Sequence, residues 1–523
     1  MAFLCPNCGG SVVFDAASSR MKCQHCDSVF SPEQFKVKNT SSQTDIPEMG
    51  LKLFTCRGCG AELQGTEDSV VGFCPYCGGQ SMLETGDQGR DRTEYVLPFR
   101  VSRERCAQLY RENAKKVWYL PRDLKNPAHL ESFTGIYMPY YEYDVQMGAS
   151  YIEGTKTVER HSRYDVVNTY RIDARVEGGF CKVPYDASRY LDDEIAARAL
   201  PFNMEAKQPF NPSYLSGFYA DASTVPPETY YREAEQQASK DMVDEVARQV
   251  SAREGISVDK NKSRIDAHTR AHHSALLPMW FLTWRKNDRV AYAVVNGDSG
   301  KVVSDLPVDI KAFFLGCAVI AVVLFAALEL FFQPTPVLTS VLSLLAAILM
   351  SRSVRVSTKR IFEKETHAND KGWTQGQVQA APAQKVKKQK KSGTGAVSGI
   401  IVAVVIVLAF MAYSGILSEL DLDYSRIIAA AAVLLAVFST IRITGWQKSV
   451  PEKQPSLAIL LVLIAAVVNA AIVFISPVND GWYYLGDAVC ILILILASVL
   501  MMRVYNLGTM RPLPKLFNRN EVR

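Results

Sequence analysis

Eight of the twelve cysteines fall within the first 77 residues, in two copies of one pattern. Cys5-Pro-Asn-Cys8 is followed after fourteen residues by Cys23-Gln-His-Cys26, and Cys56-Arg-Gly-Cys59 after fourteen by Cys74-Pro-Tyr-Cys77. Two residues between cysteines let one tight turn aim both sulfurs at a single point, and two such turns complete a tetrahedral thiolate cage. Gly9-Gly10, Gly58, Gly60 and Gly78-Gly79 put small residues around those turns. The short apolar runs Val12-Val13-Phe14 and Val70-Val71 suit a small antiparallel sheet, and each unit has too few apolar residues to fold without an ion. The expectation is two small β zinc ribbons, over residues 1–37 and 53–85, joined by a polar linker at 38–52. Cys5, Cys8, Cys23 and Cys26 would hold one structural Zn2+, and Cys56, Cys59, Cys74 and Cys77 a second.

Disulfides are the competing use of these thiols. Met1–Arg20 has no basic stretch followed by an apolar one, so no secretory signal opens the chain and a reducing compartment is expected. His25 lies inside a knuckle, but four cysteines already close that site, which leaves it to solvent. Cys106, Cys181, Cys317 and Cys490 are scattered singles, and Cys106 and Cys181 read as small buried hydrophobes.

Composition changes sharply near residue 310, where a polar chain becomes strongly apolar. Apolar runs occupy Ala312–Phe332, Val337–Met350, Ala396–Leu417, Ile427–Ile441, Ser456–Ser476 and Leu485–Met502. A bilayer core takes about twenty helical residues, so the second and fourth runs are short unless their flanks join them. Charge supports six crossings. With the N-terminus inside, the internal segments 351–395, 442–455 and 503–523 hold eleven, three and five Lys/Arg, whereas the external loops 333–336, 418–425 and 477–484 hold none, Arg426 at the border of the fourth run being the one exception nearby. The expected plan is an all-α membrane domain with helices over 311–350 and 396–502, a basic cytoplasmic loop at 351–395 and a cytoplasmic tail at 503–523. Both termini then face the cytosol. Lys385-Val386-Lys387-Lys388-Gln389-Lys390-Lys391 suits anionic lipid headgroups or simply sets the topology. Glu329, Asn469 and Asp487 are the few polar interruptions, which is sparse for a transport pathway.

Residues 93–308 read as a soluble α+β domain. A helix is expected over Ser102–Val117, and strands over 136–143, 150–152, 166–172 and 179–183. A long helix should run from Pro226 or Pro227 to Arg253, with Ala234, Ala238, Met242, Val246 and Val250 inward. A hairpin turning at Asn287-Asp288 follows and ends in Asn296-Gly297. Gly297-Asp298-Ser299-Gly300 has a protease-like look but no triad partner, and reads as a turn. His268, His272 and His273 form an i, i+4, i+5 cluster that on a helix would put His268 and His272 on one metal-binding face, though a solvated helix end is the simpler expectation. Tyr137, Tyr140, Tyr141 and Tyr143 read as core. No phosphate loop, dinucleotide fingerprint or metalloprotease motif occurs, so no catalytic residue is assigned and no enzyme is expected.

The paired ribbons, Tyr95-Val96-Leu97-Pro98-Phe99-Arg100, Gly135-Ile136-Tyr137-Met138-Pro139-Tyr140, and Leu277-Pro278-Met279-Trp280 before Val295-Asn296-Gly297-Asp298-Ser299-Gly300-Lys301 carry a resemblance. Together they resemble bacterial multi-pass membrane proteins with N-terminal transcription-factor-IIB-type zinc ribbons. The resemblance covers most of residues 1–310 and only the architecture beyond. Some members are linked to phage-shock-protein-A-like envelope-stress systems, which implies membrane-stress sensing or recruitment of a peripheral scaffold.

Nucleic acid is not the expected partner. Residues 1–90 carry seven Lys/Arg against ten Asp/Glu, and two zinc–thiolate centres would bring the segment to about −7, which repels phosphate. The whole chain, at net +5, is also only mildly basic. The expectation is a non-enzymatic, zinc-binding scaffold or sensor of the cell membrane. It would bind protein partners at the inner face, such as a phage-shock-protein-A-like scaffold or another membrane subunit. A transporter or channel subunit with regulatory ribbons, and a membrane-tethered nucleic-acid-binding protein, are the alternatives.

Overall fold

The computed structural model describes residues 3–35, 52–65, 74–79, 82–87, 93–117, 119–125, 133–160, 164–172, 180–286, 289–331, 335–367, 369–373, 424–446, 450 and 453–512. Val70-Val71, residues 38–51 of the linker, residues 88–92, Asn287-Asp288, the basic run 385–391, the apolar run 396–417 and the tail beyond 512 lie outside the described residues.

Three short antiparallel strands, β1 (Val12–Asp15), β2 (Arg20–Cys23) and β3 (Val29–Phe30), make the first ribbon. Strand alternation turns Val12 and Phe14 inward from β1, and Met21 and Cys23 from β2. Asp15 closes β1 by accepting from the backbone N–H groups of Ala17 and Ser18. The second ribbon contributes β4 (Lys52–Cys56), β5 (Glu62–Gly65) and β6 (Met82–Asp87).

Next come β7 (Tyr95–Val96), α1 (Arg103–Lys116), β8 (Thr134–Arg160), β9 (Asp165–Ile172), β10 (Phe180–Asp186) and α2 (Asp193–Ala199). They are followed by β11 (Gln208–Pro209), β12 (Tyr219–Asp221), α3 (Tyr231–Glu254), β13 (Ser257–Val258), β14 (Arg264–Lys286), β15 (Arg289–Asn296) and β16 (Val302–Ser304). Helix α1 forms where its caps demand it. Ser102 accepts from the N–H of Arg105 at 3.3 Å, Glu104 sits in the positive first turn, and Lys115 and Lys116 sit in the last. Cys106, Tyr110 and Ala114 recur at fours and form its buried stripe. Helix α3 stops at Gly255, whose φ of 67° is the left-handed C-cap that glycine adopts without a Cβ penalty. Its buried side is Ala234, Ala238, Val243 and Ala247, with Met242 and Val246 partly covered.

The soluble part is organised by β8 and β14, which pair antiparallel from Thr134↔Phe281 to Tyr151↔Arg264. The strands expected separately at 136–143 and 150–152 are one continuous strand of 27 residues. Continuous pairing with a partner of similar length supplies what the local pattern lacked. Strands β14 and β15 pair up to Lys286↔Arg289, so the hairpin closes around the expected turn position.

The tyrosine set divides among several cores because the sheet is covered on both faces. Tyr137 packs with Phe99, Phe218 and Trp280, and Phe99 stacks on Phe218 at 4.3 Å. Tyr140 lies in the cluster of Leu191 and Ile195, and Tyr143 in that of α3. Gly135 sits where a Cβ would come within 2.5 Å of the Phe218 ring and 3.1 Å of Trp280. Gly135→Ala is therefore expected to destabilise the soluble part by about 1–3 kcal/mol through overpacking, measured as a lower thermal midpoint of the purified chain. An unchanged midpoint would show that Phe218 moves aside freely.

Beyond residue 308 the chain is helical: α4 (Ile310–Phe331), α5 (Pro336–Thr366), α6 (Tyr424–Trp446), α7 (Gln454–Ile475) and α8 (Gly481–Thr509), ending in β17 (Arg511–Pro512). Among the described residues four helices are long and apolar enough to cross a membrane, namely those built on α5, α6, α7 and α8. The run 337–350, short by sequence, is the first half of the 31-residue α5, which continues straight into its basic flank. Gly486 lets α8 approach α7, since a Cβ there would fall 1.9 Å from Ile472 Cδ1.

The soluble part and the helix ends interlock. β17, reached at the end of α8, adds to β15 through Arg289↔Pro512 and Val290↔Arg511. Arg289 binds the Glu365 carboxylate of α5 and donates to the carbonyls of Leu507 and Met510 at 3.1 and 3.0 Å. Arg511 pairs with Asp192 at 2.6 Å, while Asp305 accepts from Arg198 at 2.8 Å and Lys364 at 3.3 Å. Burial alone would raise the Asp305 carboxyl, but Lys364 and Arg198 hold it below the ordinary range. Asn506 completes the junction by exchanging two 2.8 Å hydrogen bonds with the backbone of Val308.

Candidate metal centres

All four CxxC knuckles adopt one backbone turn. The N–H of the first cysteine donates to the carbonyl five residues on: Cys5 to Gly10, Cys23 to Ser28, Cys56 to Ala61 and Cys74 to Gly79, at 2.7–2.9 Å. The residue after the second cysteine always has positive φ, being Gly9, Asp27, Gly60 and Gly78. Three of these are glycine because that conformation costs an L-residue about 1–2 kcal/mol. Asp27 is the exception, a residue type that tolerates it, and it pairs with Lys22 at 2.8 Å.

These turns gather the eight sulfurs into two groups of four, with the ligand atoms of each group lying within 4.8 Å of one another. Contacts between knuckles are 3.6 Å for Cys5–Cys26, 3.5 Å for Cys8–Cys23, 3.5 Å for Cys56–Cys77 and 3.6 Å for Cys59–Cys74. Thiolates at about 2.3 Å from one tetrahedral ion stand about 3.8 Å apart, so each group could hold one metal ion. Backbone amides also point at the sulfurs: the N–H of His25 at Cys23 and that of Gly58 at Cys56, each 3.4 Å away.

Protons cannot leave all four thiols of such a group unless a cation replaces them. Hydrogen bonds from Cys59, then Cys74 and Cys77, hold Cys56 as a thiolate, and the same contacts push Cys59 and Cys74 well above the ordinary thiol range. In the first group, Ser28 brings Cys26 down to about 6. Gly10 favours the Cys8 thiolate, but donation to Cys26 and burial outweigh it and carry Cys8 up to about 12. A metal ion in each group could resolve this sharing of negative charge.

The two centres differ in their surroundings. Cys8 and Cys26 are exposed, and the first ribbon rests on the soluble part through Phe14 against Tyr214 and Phe218 and through Asn211 and Ser213 on the Pro32 carbonyl. Cys56, Cys59, Cys74 and Cys77 are all buried in one cluster with Leu97, Met138, Phe281 and Val294. The second ribbon's strand β5 pairs with β12, so it belongs to the main sheet. Platform side chains brace its knuckles: Tyr190 donates to the Gly60 carbonyl at 2.9 Å, Thr283 to that of Pro75 and Tyr292 to that of Tyr76. Excess chelator is therefore expected to strip one metal equivalent from the loaded protein quickly. The second equivalent should leave only as fast as the platform opens. A chromogenic release assay showing one phase of two equivalents would contradict this.

His25 is exposed, as its position inside a closed knuckle implies. The histidine cluster at 268–273 is corrected by the fold. These residues lie on β14, paired with β8, and not on a helix. Four strand residues span about 13 Å, so His268 and His272 are too far apart to hold one ion. His272 packs on Tyr141, Tyr143 and Tyr231 with Nδ1 at 3.1 Å from the Tyr231 hydroxyl, whereas His273 sits between Glu94 at 2.7 Å and Asp144 at 3.5 Å. Asn296 caps the turn at 297–300 by accepting from the N–H groups of Asp298 and Ser299. The brace of Tyr190, Thr283 and Tyr292 around the second ribbon left no sign in residue spacing.

No family model matches the chain, and no solved structure matches it. The chain is similar to the uncharacterized protein YdjG of Bacillus subtilis (strain 168), at 26% identity over 328 residues, which is 61% of this chain and 94% of that protein.

Proposed function

We propose that the protein is a non-enzymatic docking platform of the inner membrane face, anchored by its helices and stabilised by two structural zinc ions. Thiolate-only donor sets select soft or borderline ions, and a closed tetrahedral cage without an open position is the form of a structural zinc site. Under this reading Cys5, Cys8, Cys23 and Cys26 hold one zinc and Cys56, Cys59, Cys74 and Cys77 the other. Ion selectivity is tested by elemental analysis of the purified chain, where zinc at two equivalents is expected and iron at comparable stoichiometry would overturn it.

The observation that carries the reading is the interlock at the helix ends. Arg289, Arg511 and Lys364 fasten the soluble part to α5 and α8 where the apolar stretches stop and basic residues begin. Positive charge beside helix ends marks the cytoplasmic side, and reduced thiols belong there as well. Six crossings, as the apolar runs of the sequence imply, would give a topology in which both termini are internal. The partners we infer are proteins, among them a peripheral scaffold of the phage-shock-protein-A type, as the sequence resemblance implies, or another membrane subunit. The lysine run at 385–391 adds affinity for anionic headgroups. In-cell crosslinking with mass spectrometry tests this: recurrent crosslinks from residues 3–35 and 82–304 to one peripheral or integral protein are expected. Crosslinks confined to nucleic-acid-bound proteins would overturn it.

A further inference from the structure

Three helices meet at a buried polar cluster. Asp487 of α8, Asn469 of α7, and Thr339, Ser340 and Ser343 of α5 lie one to two turns from the helix ends opposite the platform, or about 5–11 Å at 1.5 Å per residue. Asp487 is 6% exposed and Asn469 1%. The carboxylate accepts from Thr339 at 2.6 Å and Ser340 at 3.3 Å on Oδ2, and from Ser343 at 3.3 Å and Asn469 Nδ2 at 2.8 Å on Oδ1. Asn469 Nδ2 also contacts Ser343 Oγ, whose single proton is shared between Asp487 Oδ1 and the Ser340 carbonyl, 3.3 and 3.2 Å away.

Two features exceed what helix packing alone requires. No Lys or Arg forms an ion pair with Asp487 among the described residues, so its carboxyl group lies buried between apolar helices with neutral donors only. An intramembrane carboxylate of that kind is expensive to keep and marks a functional position. Second, facing its amino end to Asp487 leaves Asn469 Oδ1 buried with no hydrogen-bond partner. Turning the amide over would set carbonyl against carboxylate, so the cluster is not satisfied by its own side chains in either orientation.

We propose that this cluster is a binding site for one small monovalent cation of the sodium class. Asp487 supplies the single charge. Hydroxyl hydrogens of Thr339, Ser340 and Ser343 rotate away to present oxygen lone pairs, and Asn469 turns its carbonyl toward the ion. One carboxylate with neutral oxygens balances a monovalent ion, while a divalent ion would stay under-neutralised. Carbonyl and hydroxyl oxygens replacing a hydration shell are the usual chemistry of alkali-ion sites.

The test uses the full-length protein in phosphatidylcholine–phosphatidylglycerol nanodiscs, with sodium chloride exchanged for choline or potassium chloride at constant ionic strength. Radioactive sodium should bind saturably at one equivalent per chain, and sodium should raise the thermal midpoint more than potassium or choline. Asp487→Asn should abolish both effects. Ser343→Ala, which removes one oxygen and keeps the carboxylate, should weaken sodium binding about tenfold and covers the case in which Asp487→Asn does not fold. Absence of saturable sodium binding in the wild-type protein would overturn the proposal, showing a purely structural clamp. So would equal responses to all three cations, or a stability change that follows pH alone. None of these results bears on the docking reading.

Discussion

Cys74→Ser is expected to unfold the soluble platform, not merely the ribbon that carries the residue. Cys74 is fully buried, and its cluster includes side chains from β4, β8, β14, β15 and α2. A structural zinc site contributes about 10–16 kcal/mol to folding, comparable with the about 5–15 kcal/mol that holds a whole domain together. Losing one of four ligands in that core leaves a buried hydroxyl and unbalanced thiolates together. The variant should keep at most the one metal equivalent held by Cys5, Cys8, Cys23 and Cys26, lose its near-ultraviolet dichroism and show no cooperative melt of the platform. Cys8→Ser gives the contrast. Its sulfur is exposed, so that variant should lose one equivalent while the platform still melts cooperatively. Equal behaviour of the two variants would contradict the asymmetry between the centres.

Arg289→Ala is expected to detach the platform from the helix ends. Arg289 and Glu365 are only 13% and 12% exposed, and the same guanidinium also binds two terminal carbonyls of α8. Removing one partner of a buried pair costs about 3–5 kcal/mol, because the other charge is left uncompensated. The platform should then become cleavable near Arg511 under limited proteolysis, with its metal content unchanged. Arg289→Lys should recover only part of the attachment, since an ammonium cannot reproduce the forked geometry. Proteolysis resistance equal to wild type would show that β17 and Arg511 suffice to hold the junction.

Local chemistry made some of this legible in the sequence. The ends of α1 follow from Ser102 and Val117, and the sulfur groups from the CxxC spacing, because each depends on residues close together in the chain. Contacts across long distances were not legible. His268–His273 has helix-like spacing but lies on β14, since β8 offers it a long antiparallel partner. The second ribbon looks like a copy of the first until β12 pairs with β5 and Tyr190, Thr283 and Tyr292 close over it. That merger depends on residues more than a hundred positions away. The boundary between apolar and basic sequence at 350 is likewise no structural boundary, because a helix continues as long as its backbone bonds do, and α5 carries the chain from its apolar half to Glu365 at the soluble part.

Orientation is the claim on which the docking role rests, and cysteine accessibility tests it most directly. Arg253, exposed at the end of α3, and Val478, fully exposed between α7 and α8, lie on opposite sides of the proposed membrane. In spheroplasts treated with a membrane-impermeant maleimide, Val478→Cys should label at once and Arg253→Cys only after permeabilisation, each judged against the parent chain. Labelling of Arg253→Cys in sealed spheroplasts, with Val478→Cys protected, would put the metal-bearing platform outside and contradict the account.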